Sequence, residues 1–282
     1  MKEFYLIIES SWFTSCYLVE KWIESFGDCA NFKGILAIEK IRSETIHQER
    51  QAFHREYAGR KQLNDHMKKN LDKLYPYLDD KEQAMIRLFG IPKYSTTSYA
   101  NTFFLDDING ESARQWLVAA CKNNSLPYFF LGIGQILKSW WVEISQSQII
   151  NAHPAILPYA RGSYSIENIA AVKDIQKFRQ SAGATVHYID IGVDTGPIIR
   201  AKKVIDPFIF DSIWELKGYL YMTGFNLLAD VAKDIISSKE TVPVGIVNDP
   251  KLRGPNFKRK DFNPHKRKQA EEGYLSMKLQ NV

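Results

Sequence analysis

The chain opens with two short apolar runs on either side of an amphipathic stretch. Residues 4–8 and 32–38 have the length and composition of buried strands, and residues 12–26 carry apolar side chains at helical spacing. Ser11 is the expected cap at the start of this helix, and Gly27 is the expected residue at its end. A strand, a helix and a second strand in this order predict a parallel, doubly wound sheet.

Strand and helix patterns continue to alternate along the chain. Further strands are predicted at residues 99–105 (a strand or an extended linker), 126–133, 148–151, 185–189 and 197–204. Further helices are predicted at residues 111–122, 163–180, 211–237 (capped by Asp211 or Ser212) and 265–278. Residues 44–89 are polar, charge-rich and helical in composition, which predicts a helical insertion that carries His47, His54 and His66. Their spacing fits no metal template, and we interpret all three as surface residues of a helix.

Composition places the chain among ordinary globular proteins. It has 282 residues, of which 45% are hydrophobic and 24% are charged, enough for one large domain or a core with an appended piece. No apolar run is long enough to span a bilayer, and the N-terminal one is too short for a secretory signal. We therefore expect no membrane association. Three scattered cysteines without metal-type spacing indicate reduced thiols in the cytoplasm and no metal site.

Positive charge is concentrated late in the chain. The net charge is +5, and the excess comes from Lys251, Arg253, Lys258, Arg259, Lys260, Lys266, Arg267 and Lys268. Such a tail can contact phosphates or nucleic acid, or it can be a solvated surface segment. Both interpretations stay open at this point.

Two motifs carry polar side chains after predicted strands. Asn151-Ala-His-Pro154 sets an amide and an imidazole two residues apart, and Val193-Asp-Thr-Gly-Pro197 places Asp194 in a turn. Pro154 favours an extended backbone at His153. Ligands of open α/β sheets bind outside the carboxyl ends of the strands. We therefore expect Asn151, His153 and Asp194 to meet at one edge of the sheet.

These three side chains suit the acylation of an amine through a tetrahedral intermediate. Negative charge grows on the acyl oxygen, and the Asn151 amide and a His153 N–H can each donate a hydrogen bond to it. The attacking nitrogen has to lose a proton, which Asp194 can accept directly or through water. Asp194 can also pair with His153 and favour its charged form. A further histidine, His187, lies within a predicted strand, and we interpret it as structural.

Residues from about 127 to 204 resemble the folate-dependent formyltransferase family, which includes glycinamide ribonucleotide, methionyl-tRNA and sugar-nucleotide formyltransferases. The resemblance lies in residues 129–137, Asn151-Ala-His-Pro154, Leu157-Pro158, Arg161-Gly162 and residues 183–199. It implies a Rossmann-like α/β fold with helices on both faces of a mostly parallel sheet, and Asn151, His153 and Asp194 as catalytic residues. It also implies a formyltransferase catalytic domain over residues 1–210, with the insertion at about 44–89, and a long helix with a basic extension over residues 211–282.

The resemblance implies 10-formyltetrahydrofolate as the formyl donor. In the family, its pterin is held largely by backbone groups of two loops. The matching cofactor-binding residues are Gly134, Gln135, Ile136 and Leu137 in one loop, and Asp190, Ile191, Gly192 and Val193 in the other.

Departures from the family pattern bear on the acceptor. The turn Glu9-Ser-Ser-Trp-Phe-Thr14 lacks the glycine-rich loop that cradles the phosphate of glycinamide ribonucleotide. The tail after the long helix is shorter than the barrel domain of the tRNA enzymes. We expect a cytoplasmic enzyme of one-carbon metabolism that formylates a primary amine on a small molecule, either an amino sugar nucleotide or a specialised metabolite, and that forms a homodimer. The alternatives are an enzyme like methionyl-tRNA formyltransferase, with tRNA as partner, and a formyltetrahydrofolate hydrolase.

Overall fold

The computed structural model describes residues 2–76, 78–122, 126–237 and 243–281. The strands are β1 (Phe4–Glu9), β2 (Phe32–Ile38), β3 (Thr102–Leu105), β4 (Tyr128–Gly132), β5 (Ile149–His153), β6 (Arg161–Gly162), β7 (Gly183–Tyr188), β8 (Ile198–Lys203) and β9 (Asn256–Phe257). The α-helices are α1 (Phe13–Phe26), α2 (Glu44–Tyr57), α3 (Asp65–Leu74), α4 (Asp80–Phe89), α5 (Glu111–Ala120), α6 (Ser139–Ile144), α7 (Ser165–Ala170), α8 (Ile175–Ser181), α9 (Ile213–Ser237) and α10 (Pro264–Gln280).

The main sheet has seven strands in the order β3-β2-β1-β4-β5-β7-β8. Strand β1 is parallel to β2 and to β4, and β2 is parallel to β3. The last pair, β7 and β8, is antiparallel, and residues 201–203 of β8 are exposed at the edge of the sheet. Strands β6 and β9 form a separate two-stranded parallel sheet. The predicted α/β class with a mostly parallel, doubly wound sheet is therefore confirmed.

The chain divides into two compact units, which are described separately. The first comprises Met1–Ile150 with Ala232–Val242, and the second comprises Asn151–Val231 with Pro243–Val282. The domain division expected at residue 210 stays a prediction. In the first unit, β1 and β2 are almost continuously buried, as expected of parallel strands covered on both faces. Trp22 of α1 packs there on Phe4 and Phe130.

Aromatic packing also organises the second unit. Phe178 of α8 stacks on Phe208, and both rings contact Tyr274 of α10. The Tyr274 hydroxyl is 2.8 Å from the carbonyl oxygen of Phe210, to which it donates a hydrogen bond. These contacts fasten α10, which lies in the basic tail, onto the rest of its unit.

Several local predictions differ from the structure. Helix α1 begins at Phe13 with Trp12 as its N-cap and has no side-chain cap, so the prediction of Ser11 as the cap is wrong. Residues 163–180 form two helices because Lys173 has a φ of +62° and Asp174 caps a new helix, α8. The predicted cap at Ser212 is present, with its hydroxyl accepting a hydrogen bond from the Glu215 N–H.

The helical insertion contains buried polar side chains. Arg50 of α2 is 4% exposed, and its Nη1 donates to Glu39 Oε1 at 3.2 Å. His54 is fully buried, with Nδ1 2.6 Å from the Pro92 carbonyl oxygen and Nε2 2.8 Å from the Tyr75 hydroxyl. The interpretation of His47 and His54 as surface residues is therefore wrong, because α2 turns a polar face toward buried partners. Within the described ranges, no helix combines the length and apolar character needed to cross a membrane.

Candidate active site

His153 is the last residue of β5, and its ring is buried. Its Nε2 is 2.9 Å from the carbonyl oxygen of Ala160, to which it donates a hydrogen bond, and 3.4 Å from Ser165 Oγ. Its Nδ1 faces Asp194 Oδ2 at 3.5 Å. Burial lowers the pKa of His153 below its ordinary value, and the negative charge of Asp194 opposes this shift without cancelling it.

Asp194 lies in the turn between β7 and β8, with a φ of +51°. Its Oδ2 accepts a hydrogen bond from the backbone N–H of Gly162 at 2.7 Å, and its Oδ1 is 3.5 Å from His187 Nε2. Burial acts to raise the pKa of Asp194, but the two histidines and the Gly162 N–H outweigh burial and hold it well below its ordinary value. Asp194 is thus a buried carboxylate that stays ionised at neutral pH.

Asn151 precedes His153 by two residues on the same strand, so both side chains point to the same face of the sheet. The Asn151 side chain is half-buried, and its amide makes no hydrogen bond within the described part of the chain. The amide is therefore available to donate to a ligand. The structure brings His153 and Asp194 into contact and places Asn151 beside His153, while the catalytic roles of the three residues stay a prediction.

His187, which the sequence pattern led us to interpret as structural, also belongs to this cluster. It is 1% exposed on β7, its Nδ1 is 2.9 Å from the Tyr188 carbonyl oxygen, and its Nε2 faces Asp194. Every residue of β7 before Tyr188 is buried, so no alternation of polar and apolar positions marks His187 as special. Asp194 consequently lies between two imidazole rings, which accounts for much of its low pKa.

The short strand β6 holds the carboxylate in place. Gly162 has a φ of +82°, and a Cβ there would lie 2.1 Å from the Phe257 carbonyl oxygen of the paired strand β9. Only glycine fits both this conformation and this close approach. The pairing of β6 with β9 therefore fixes the Gly162 N–H that binds Asp194.

The first predicted cofactor loop, Gly134 to Leu137, lies in the first unit. A Cβ on Gly134 would lie 2.2 Å from the Trp12 ring, so a side chain at this position would require the ring to move. The Gln135 Nε2 donates to Glu9 Oε1 at 3.0 Å, and Asn109 Nδ2 donates to the Ile136 carbonyl oxygen at 2.9 Å. These contacts fix the loop and leave the Ile136 side chain 70% exposed.

The second predicted loop, Asp190 to Val193, lies in the second unit. Asp190 Oδ1 accepts hydrogen bonds from the Gly192 N–H at 3.1 Å and from Thr195 Oγ1 at 2.7 Å. The Asp190 side chain therefore shapes the loop. Ile191 at the tip is 85% exposed.

No group of three or more His, Cys, Asp or Glu side chains within the described ranges is arranged to hold a metal ion. The polar groups of the cluster are instead hydrogen-bond donors and one buried carboxylate. This set can polarise a carbonyl group and accept a proton.

Comparison with known proteins identifies the segment that contains these residues. Residues 128–213 match the formyl transferase family model. This part of the chain belongs to the formyl transferase family. The resemblance inferred from the sequence is thus confirmed, and the family segment contains Asn151, His153, Asp194 and both predicted cofactor loops.

Two curated relatives match over part of their length. The methionyl-tRNA formyltransferase of Microcystis aeruginosa is 27% identical over 139 residues, which cover 49% of this chain and 40% of the relative. The phosphoribosylglycinamide formyltransferase of Bacillus subtilis is 48% identical over 92 residues, which cover 32% of this chain and 43% of the relative. The chain therefore matches less than half the length of either formyltransferase.

Solved structures share the fold over most of the chain. An N-formyltransferase from Helicobacter canadensis has a TM-score of 0.54 at 15% identity, and the match covers 93% of this chain and 73% of that one. A 4-N formyltransferase from Francisella tularensis has a TM-score of 0.54 at 15% identity, covering 98% of this chain and 87% of that one. At this identity, the likeness shows the formyltransferase fold.

Proposed function

We propose that the protein transfers a formyl group from 10-formyltetrahydrofolate to a primary amine on a small molecule, either an amino sugar nucleotide or a specialised metabolite. One observation carries the proposal. Asp194 is a buried, ionised carboxylate whose Oδ2 lies 3.5 Å from His153 Nδ1, and the unpaired Asn151 amide lies on the same face as His153.

The three side chains divide the work of amine acylation. The bound donor supplies an activated formyl carbon. The Asn151 amide donates a hydrogen bond to the formyl oxygen, and the Nδ1–H of a protonated His153 adds a second donor as negative charge develops. Asp194 accepts the proton that the attacking amine loses, directly or through water. Before it takes up that proton, the charge of Asp194 favours a protonated His153, against the effect of burial on that ring. The bond between the formyl carbon and the donor nitrogen then breaks, and the proton leaves with tetrahydrofolate.

We assign the donor to the loops Gly134 to Leu137 and Asp190 to Val193. Each loop is fixed by its own side-chain contacts and has an exposed isoleucine, Ile136 or Ile191, that suits a flat ring. The solved Helicobacter canadensis enzyme, which shares this fold, is in complex with folinic acid and dTDP-3-aminofucose. Those two ligands support a folate donor and an amino sugar nucleotide acceptor here.

A binding experiment tests the donor loops. Ile191→Ser should weaken the binding of folinic acid about tenfold or more, because an apolar side chain no longer covers the ring. Ile205→Ser is the matched control, since Ile205 is 95% exposed and lies outside both loops. The dissociation constants of the two variants for folinic acid are measured by fluorescence titration and compared. Equal affinities for the two variants would remove Ile191 from the donor site.

An acceptor screen tests the reaction. The protein is incubated with 10-formyltetrahydrofolate and a panel of amino sugar nucleotides and other amines, and tetrahydrofolate is followed by absorbance. We expect turnover only in the presence of an amine, and nearly none with His153→Ala. Full turnover of His153→Ala would contradict the mechanism, and formate release without an amine would identify a hydrolase instead.

A second candidate function is formylation of methionyl-tRNA. It is favoured by the sequence match to methionyl-tRNA formyltransferases and by exposed basic side chains such as Lys251, Arg253 and Lys258. Turnover with charged initiator tRNA that falls steeply with salt would establish it.

We also propose a cytoplasmic location, because Cys16, Cys29 and Cys121 are free thiols. A homodimer stays a proposal drawn from the resemblance to the family.

A further inference from the structure

The C-terminal segment contacts the turn that carries Asp194. Asn248 is 3% exposed, and its Nδ2 donates hydrogen bonds to the carbonyl oxygens of Thr195 at 3.3 Å and Gly196 at 3.0 Å. These two residues directly follow Asp194. We propose that Asn248 is a positioning residue for the carboxylate of Asp194, an inference that rests on the proposed function of that carboxylate.

A second tie acts on the other side of the same turn. The Arg161 guanidinium donates through Nε and Nη2 to the Gly254 carbonyl oxygen, at 3.2 and 3.1 Å, and through Nη1 to the Val193 carbonyl oxygen at 3.4 Å. Val193 directly precedes Asp194. The C-terminal segment is therefore linked to the backbone on both sides of Asp194, by Asn248 directly and by Gly254 through Arg161.

The turn needs such ties because its backbone is strained. Asp194 has a φ of +51°, in the left-handed region, which is less favourable than ordinary backbone angles for a residue other than glycine. Without the Asn248 amide, the turn is free to relax toward ordinary backbone angles. The Asp194 carboxylate would then move away from the Gly162 N–H and from His153.

The Asn248 side chain uses only part of its hydrogen-bonding capacity. Its Oδ1 is buried and accepts no hydrogen bond within the described residues, an arrangement that costs stability. The contribution of this amide therefore lies in its two donor contacts to the turn. We expect the loss of Asn248 to affect the geometry around Asp194 more than the stability of the fold.

The ring of His153 reports this geometry. Burial and His187 lower its pKa, whereas Asp194, the hydrogen bond to the Ala160 carbonyl oxygen and Glu167 raise it. When the carboxylate moves away, the first of these three raising influences weakens. His153 should then titrate at lower pH, in the same direction as in Asp194→Asn, where the charge is removed outright.

The first experiment is an NMR titration of the histidine rings in ¹⁵N-labelled protein, which needs no substrate. Asn248→Ala should shift the His153 titration toward that of Asp194→Asn. Asn263→Ala is the matched control, because Asn263 lies in the same tail and caps α10 by accepting from the Lys266 N–H, away from the turn. An unchanged His153 titration in Asn248→Ala, alongside a shift in Asp194→Asn, would overturn the proposal.

Arg161→Lys provides a second test if Asn248→Ala does not fold. It keeps the positive charge but loses the fork that joins two carbonyl oxygens, so the His153 titration should shift in the same direction. No shift in a folded Arg161→Lys protein, under conditions where Asp194→Asn shifts, would contradict the two-sided tie.

Kinetics link the positioning to the reaction. In Asn248→Ala, kcat should fall between about 10-fold and 100-fold with little change in KM, as expected for a misplaced catalytic group. Asn263→Ala should keep the kcat of the unsubstituted protein. Absence of formyl transfer in the unsubstituted protein would refute the proposed function, while the NMR shift would still decide the positioning. An unchanged kcat in Asn248→Ala would refute the positioning alone.

Discussion

Replacing Asp194 by asparagine separates the charge of the carboxylate from its shape. Asparagine retains an oxygen that can accept the Gly162 N–H, so the turn should keep its conformation. The variant loses the charge that faces His153 and His187 at 3.5 Å, and it cannot accept a proton at neutral pH. We expect kcat to fall by roughly 10²–10⁴-fold, the usual contribution of a general base.

The cost in stability should be much smaller than the cost in rate. A hydrogen bond to a charged group is stronger than one to a neutral group by about 1 kcal/mol, so Asp194→Asn should lose about 1–2 kcal/mol of unfolding free energy at pH 7. The folded-state pKa of Asp194 is lowered, so its stabilising effect is present above the unfolded pKa of about 4 and is lost as pH falls below that value. Urea denaturation at pH 7 and pH 3 should therefore show a smaller difference between the two proteins at pH 3.

Comparison with Asp194→Ala gives the decisive result. If the carboxylate is the base, the Asn and Ala variants should transfer formyl equally slowly, as followed by tetrahydrofolate release, although the Asn variant is the more stable. If Asp194→Asn kept a kcat within a few-fold of the original, the side chain would serve only as a hydrogen-bond acceptor. The assignment of Asp194 as base would then be refuted.

Two further predictions concern stability. His54 is buried and its pKa is lowered from 6.5 to about 4, so it should destabilise the fold as pH falls from 6.5 to 4, by up to about 3 kcal/mol. Urea denaturation should show a weaker dependence on pH in His54→Gln, whereas substitution of the exposed His66 by glutamine should leave that dependence unchanged. Gly162→Ala should cost more than about 2 kcal/mol and reduce transfer, because both its φ and the Phe257 oxygen oppose a side chain. Gly59→Ala has a similar φ of +77° but no atom within 4 Å, so thermal unfolding should show only about 1 kcal/mol of loss; equal losses would contradict the steric argument.

Much of the fold follows from local sequence patterns. The strand over residues 32–38 agrees with the predicted bounds because it is a clear apolar segment. The region predicted to be helical, residues 44–89, contains the helices α2, α3 and α4. The two-helix structure of residues 165–181 could not be foreseen, since the break depends on the positive φ of Lys173. The burial of His54 was equally hidden, because its partners, Tyr75 and Pro92, are distant in sequence.

The candidate site also contains some residues that the sequence could reveal and others that it could not. The motifs around Asn151, His153 and Asp194 could be recognised because each places a polar side chain at or after a strand end. His187 and Asn248 could not, because their importance arises from contacts with the Asp194 turn that no local pattern encodes. Sequence motifs thus identify groups suited to the chemistry, and tertiary contacts reveal what holds them.

The outer strand β8 has a consequence for behaviour at high concentration. Its exposed end carries Lys202 and Lys203, and its start is covered by a bridge between Ile198 and Ile246. Charged lysines on an outer strand oppose its pairing with the same strand of another molecule, since like charges would be brought together. The exposed edge of β8 is therefore protected against pairing with the same edge of another molecule. We expect any self-association of the protein to use a different surface.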